Sequence, residues 1–124
     1  MSSPNRPEQV LEANELRIVD ASGRVRARLG MIGNQDDSVG LHLLRPDGSL
    51  AVQIDLVEFP RVRLLDKEGI ERLCLDIGNA DDEEYAGLSV SGSDGEARIT
   101  LVVPPSDYGE ISITDHNGHT KFLQ

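Results

Sequence analysis

The chain has almost no aromatic side chains: Phe, Tyr and Trp make up 3% of its 124 residues, and Trp is absent. Any core must therefore be filled by Leu, Ile, Val and Ala, without the large buried area that rings supply. Cysteine occurs once, as Cys74. This excludes an intramolecular disulfide framework and fits a reducing compartment, so a cytoplasmic protein is expected. No run approaches the roughly 18 consecutive apolar residues of a membrane span, and stable membrane insertion is not expected. Positive charge is scarce, with 12 Lys and Arg against 22 Asp and Glu, a net charge of -10 and a pI near 4.6. That balance disfavours the phosphate backbone of nucleic acid and anionic lipid alike, and no nucleic-acid partner is expected. Residues 1–8 carry Pro4 and Pro7 and no hydrophobic leader segment. They read as a flexible tail before one domain over 9–124, long enough to bury a core.

Catalytic patterns are also missing. The chain has no nucleophile elbow, phosphate loop, metal-ligand spacing or acid/base pair. His42, His116 and His119 form no catalytic set, and Cys74 has no base beside it in the pattern. No catalytic residue, metal or cofactor is expected, and the protein reads as a non-enzyme.

What the chain does have is a repeat. Glycines recur at Gly23, Gly48, Gly69, Gly95 and Gly118, at intervals of 25, 21, 26 and 23 residues. Each follows a polar triplet, Asp20-Ala21-Ser22 being the first, and is flanked by apolar residues at every second position. Leu16 and Ile18 precede the first tip; Val25, Ala27, Leu29 and Met31 follow it, with Arg24, Arg26 and Arg28 on the other parity. A sustained period of two is a half-buried strand, and self-similarity at this spacing marks a repeat architecture. The later units use Leu41, Leu43 and Leu50 to Leu56; Val62, Leu64 and Leu73 to Ile77; Leu88, Val90 and Ala97 to Val103. The last uses Ile111 and Ile113, then Thr120 and Phe122. Glu71 interrupts the third unit. Residues 33–38, 58–60, 78–85 and 104–108 read as loops.

The expected fold is all-β: five consecutive β-hairpins in a closed or nearly closed antiparallel barrel or prism. An N-terminal strand over 9–14 is expected to complete the last repeat and remove an exposed edge; a short helix after Pro7 is the alternative. Opposed residues share a face, so matching apolar parity sets Ile18 against Val25 across a four-residue loop ending in glycine. That register puts Arg17 opposite Arg26 and Arg63 opposite Arg72, like-charged pairs that neighbouring acids must offset. The turn acids Asp20, Asp47, Asp66, Asp94 and Asp115 read as turn caps rather than converging calcium ligands. Asp36-Asp37 and Asp81 to Glu84 read as solvated loops without calcium-loop spacing.

Two candidate sites follow. The inward row, represented by Leu29, Ile54, Leu75 and Leu101, either leaves an apolar lumen for a lipid-like ligand or closes by sheet-on-sheet packing. The outward basic band of Arg17, Arg26, Arg63 and Arg72 is a candidate for a bound anion or for the acidic loop of a second subunit, and a homo-oligomer is expected.

The pattern apolar-x-apolar-x-Asp-x-x-Gly-x-x-Arg, clearest in Leu16 to Arg26 and Val62 to Arg72, resembles the bacterial hairpin-repeat proteins called β-flowers. The resemblance covers residues 16–124 and implies a shallow, radially arranged hairpin barrel with a possible apolar channel and no catalytic residue. The tip Asp20 to Arg24 also resembles the tyrosine-aspartate hairpin repeat of bacterial toxin shells, with Val19 where the tyrosine stands. The functional expectation is a structural or interaction module that self-assembles or binds a partner through its sheet; the alternatives are an apolar-ligand carrier and an anion-binding module.

Overall fold

Apolar alternation becomes strand in every unit. The computed structural model describes residues 9–31, 38–105 and 108–123. Its first hairpin is β1 (Glu15–Val19) with β2 (Val25–Met31), its second β3 (Val39–Leu44) with β4 (Leu50–Leu56), its third β5 (Pro60–Leu65) with β6 (Glu71–Ala80). β7 (Glu83–Ser91) with β8 (Ala97–Val103) and β9 (Glu110–Thr114) with β10 (Thr120–Leu123) complete the five. The ten strands form one antiparallel sheet in sequence order. Each described strand lies close only to its neighbours in that order, so β1 and β10 are unpaired edges and the sheet is open. No helix in the described residues is long and apolar enough to cross a membrane.

The tips close differently from the parity expectation. At the first, the Gly23 N–H donates to the Asp20 carbonyl and the Asp20 N–H to the Arg24 carbonyl, both at 2.9 Å. The loop is therefore Ala21-Ser22-Gly23, a type I turn closed by a left-handed glycine; Gly23 has φ 80°. Such a loop alone would move the apolar residues of the two strands to opposite faces. A second irregularity restores them: Val19 pairs with Val25 but Ile18 pairs with Ala27, and Arg26 is the extra residue. The same skip omits Ala51, Arg72 and Arg98 in the next three hairpins. Two single-residue irregularities cancel, so the face assignment survives although the exact pairs do not. Arg17 faces Arg28 rather than Arg26, and Arg63 faces Cys74 rather than Arg72.

The fifth hairpin lacks the skip. Thr120 pairs with Thr114, Lys121 with Ile113 and Phe122 with Ser112. Thr120 and Phe122, expected inward, thus share a face with Ser112, and Lys121 takes the apolar position.

Two further expectations fail. Residues 9–14 form no strand: their alternating positions Val10, Glu12 and Asn14 offer one apolar residue, and in an open meander they start at the far end of the strand order from β10. The stretch 78–85 is largely strand. β6 runs to Ala80 and β7 starts at Glu83, joined by Asp81-Asp82 with φ 53° and 63°. Two successive left-handed residues make the tight turn whose twist matches a hairpin, and Asp tolerates that region. Asp36-Asp37 lie outside the described residues.

Candidate interaction surface

Pairing carried strand to strand gives two unbroken aliphatic rows on one face. One runs Leu16, Leu29, Leu41, Ile54, Val62, Leu75, Leu88, Leu101 and Ile111. The other runs from Ile18 and Ala27 through Leu43, Val52, Leu64, Leu73, Val90 and Ile99 to Ile113, where Lys121 ends it. The residues named from sequence, Leu29, Ile54, Leu75 and Leu101, thus stand in a single row.

That row was expected to be buried, and here the expectation is corrected. Among the described residues no apolar side chain is buried; Leu29 is 45% exposed, Ile54 43% and Leu75 44%, while Leu101 is half-buried. The reason is architectural: the sheet is one open layer, and among the described residues nothing is stacked on either face. The accessible surface is 9365 Å² for a 13.5 kDa chain, against about 6,500 Å² for a compact monomer of that mass. Shallow apolar grooves mark the face, one of about 270 Å³ around Leu29, Leu41, Ile54 and Leu56, another of about 330 Å³ around Val62, Leu75 and Ile77. Neither is an enclosed lumen.

The opposite face satisfies itself. Arg17 and Arg28 are directly opposed, in place of the expected Arg17 and Arg26, and Glu15 bridges them at 3.0 and 2.6 Å, offsetting the like charges. Those two guanidiniums hold the Glu15 carboxyl below its usual range, Arg17 contributing most. At the centre, Asp55 is 4% exposed and Gln53 8%. Arg61 donates to both Asp55 oxygens, at 3.3 and 3.1 Å, and Gln53 donates to Oδ2; the bond to Asp55 raises the Arg61 pKa. Arg63 donates to Glu71 and, at 2.9 Å, to Gln53. This network was missed in the sequence. Its signal is Gln53 and Asp55 facing Arg63 and Arg61 on the next strand, legible only once the register is known. Beside it, Asp55, Arg61, Asp76 and Tyr85 border a cleft of about 400 Å³.

The skipped arginines hold adjacent hairpins together. Arg26 Nε donates to the Leu44 carbonyl at 2.9 Å and Arg72 Nε to that of Ser91 at 2.7 Å. Hairpin two has Ala51 at that position, and there Arg45 reaches the Leu65 carbonyl at 2.6 Å instead. Arg26 and Arg72 also lie 3.8 and 3.5 Å from Asp20 and Asp66. All four members of the basic band are therefore held by groups of this chain.

The turn acids cap backbone donors. Asp20 Oδ1 accepts from Ser22 and Arg24 N–H groups, Asp66 from Glu68 and Ile70, Asp115 from Asn117 and His119. Where the first tip position is Arg45 or Gly92, an acid two residues on does this: Asp47 accepts from Ser49 and Asp94 from Glu96. Each of these five carboxyls is held below the usual aspartate value. Backbone N–H donation is the leading cause at Asp20, Asp66, Asp94 and Asp115, and the Ser49 hydroxyl at Asp47. A depressed folded-state pKa contributes stability that is present above the unfolded value and lost as pH falls through the folded one. The urea midpoint should therefore hold above about pH 4 and fall steadily below it; a midpoint unchanged down to pH 2 would contradict the capping role.

Cys74 sits half-buried on the polar face, and burial, with Glu71 and Asp76 nearby, pushes its thiol up, away from the reactive thiolate. His42 shares that face with Arg28 and Gln53, whereas His119 caps Asp115 at 3.2 Å; the structure does not bring the histidines together. Among the described residues no group of acids, His and Cys is arranged to hold a metal ion. No protein-family model matches the chain, and no curated protein matches it.

Proposed function

We propose that this is a non-enzymatic interaction module that docks through the aliphatic face of its sheet. One observation carries the reading: two continuous aliphatic rows lie on a face where the exposed apolar patch of a working monomer is normally limited to a few hundred Å², while Gln53 and Asp55 on the opposite face are buried. Covering the aliphatic face would take out of water the apolar rows that the single chain leaves exposed. The anion-binding reading is set aside, because Arg17, Arg26, Arg63 and Arg72 already have acid or carbonyl partners.

A second reading, a lipid-like ligand on the same face, is favoured by the apolar groove around Leu29, Ile54 and Leu56. A photo-reactive residue separates the two. At position 75 it should give covalent adducts with polypeptide, and at position 89 on the opposite face it should give few. Lipid adducts at 75 favour the carrier, and equal labelling from both faces would contradict docking.

A further inference from the structure

The occupant of the aliphatic face follows from area, shape and charge. We infer that further copies of this chain cover it, sheet against sheet, around an axis that runs across the strands. The inference rests on the aliphatic face being the docking surface.

Area comes first. Ten strands about 4.8 Å apart and about 20 Å long give a face of roughly 850 Å², so two copies would bury about 1,700 Å², a standard-size specific interface. Shape comes second. The rows are nearly uniform Leu, Ile and Val from β1 to β9, and the grooves between them are shallow and repeat along the sheet, a relief that a second aliphatic sheet matches. The face complements its own copy, as the inner faces of a sandwich complement each other about 10 Å apart. Closure, which the single sheet lacks, then arises between chains.

Charge sets the direction. The connections opposite the tips carry Glu58, Asp81 and Asp82, flanked by Glu83, Glu84 and Glu110, and the described connections contain no Lys or Arg. The nearest cation, Arg61, is bound by Asp55. At the tip end acids and bases are interleaved: Asp20 with Arg24 and Arg26, Asp94 with Arg98. An axis along the strands stacks one acidic end on the other, and like charges juxtaposed across an interface are costly. An axis across the strands sets each acidic end against a partner's balanced tip end. A two-fold sandwich and a three-fold prism both meet this condition.

Two measurements test it. Light scattering on the full chain should give a mass at least twice 13.5 kDa, falling to that of one chain in Leu75→Asp and unchanged in Ser89→Asp on the polar face. A monomeric wild type would overturn the self-association, as would an oligomer indifferent to Leu75→Asp; docking to another protein would still be decided by the cross-linking above. The second measurement does not depend on the charged variant folding. The β5–β6 tip lies mid-sheet, so a spin label at Lys67→Cys in a Cys74→Ser background reports the axis. Separations of about 20 Å or more are expected for tips set at opposite ends of the strands. Strong dipolar broadening, with labels about 10 Å apart, means that tips stack on tips and would overturn the proposed axis.

Discussion

Deleting Cys74 should abolish the native assembly, whereas deleting Arg72 should cost about 1 kcal/mol. Arg72 is the residue skipped between Leu64↔Leu73 and Leu65↔Glu71, so its removal leaves both pairs in place and straightens the ladder. What is lost is the bond to the Ser91 carbonyl and the weak pair with Asp66. The fifth hairpin already has this form, a glycine tip with no skipped residue. Cys74 is a paired residue, opposite Arg63, and a slip of one turns side chains to the other face. If the slip falls beyond Leu73, Leu75 and Ile77 leave the aliphatic face and Asp76 enters it. If the skip closes instead, Arg72 enters that face and Leu73 leaves it. Either way a charged side chain takes the place of a leucine, and the loss is expected to exceed about 3 kcal/mol. Urea unfolding followed by circular dichroism distinguishes the two, and a Cys74 deletion no worse than the Arg72 deletion would refute the register.

Arg61→Ala should destabilise by about 3 kcal/mol, the lower end of what breaking a buried ion pair costs. The two partners are unequal: the Arg61 side chain is 40% exposed and that of Asp55 1%. Removing the arginine strands a buried carboxylate with one remaining partner, Gln53. Because water reaches that carboxylate poorly, its charge is left without compensation. Arg28→Ala is the control, since Glu15 keeps Arg17 and sits at the surface; its cost should stay within about 1 kcal/mol. Equal losses in the two variants would show that burial of Asp55 does not govern the pair.

The strand pattern and the shared face were legible because parity survives even when exact pairing does not. Leu29, Ile54, Leu75 and Leu101 fall in one row whether Ile18 opposes Val25 or Ala27, since both registers keep the same alternation. The loop length was not legible, because four of the five glycine tips are followed by a compensating skip whose residue varies between Arg and Ala. In the last hairpin that skip is absent, so Phe122 reverses face with no local warning. Asp81-Asp82 read as loop because acidic runs are normally solvated, yet two left-handed aspartates continue the ladder. The exposed state of the rows lay beyond reading from sequence. Periodicity reports which residues share a side, and whether that side is covered depends on what packs over it.

The most direct measurement of the central claim is methyl NMR with a soluble paramagnetic agent. In the assembled protein the Leu29, Ile54 and Leu75 methyls should be shielded from broadening, although each is 43–45% exposed in the single chain. Broadening of those methyls to the extent expected of surface groups would mean that the aliphatic face stands open in solution.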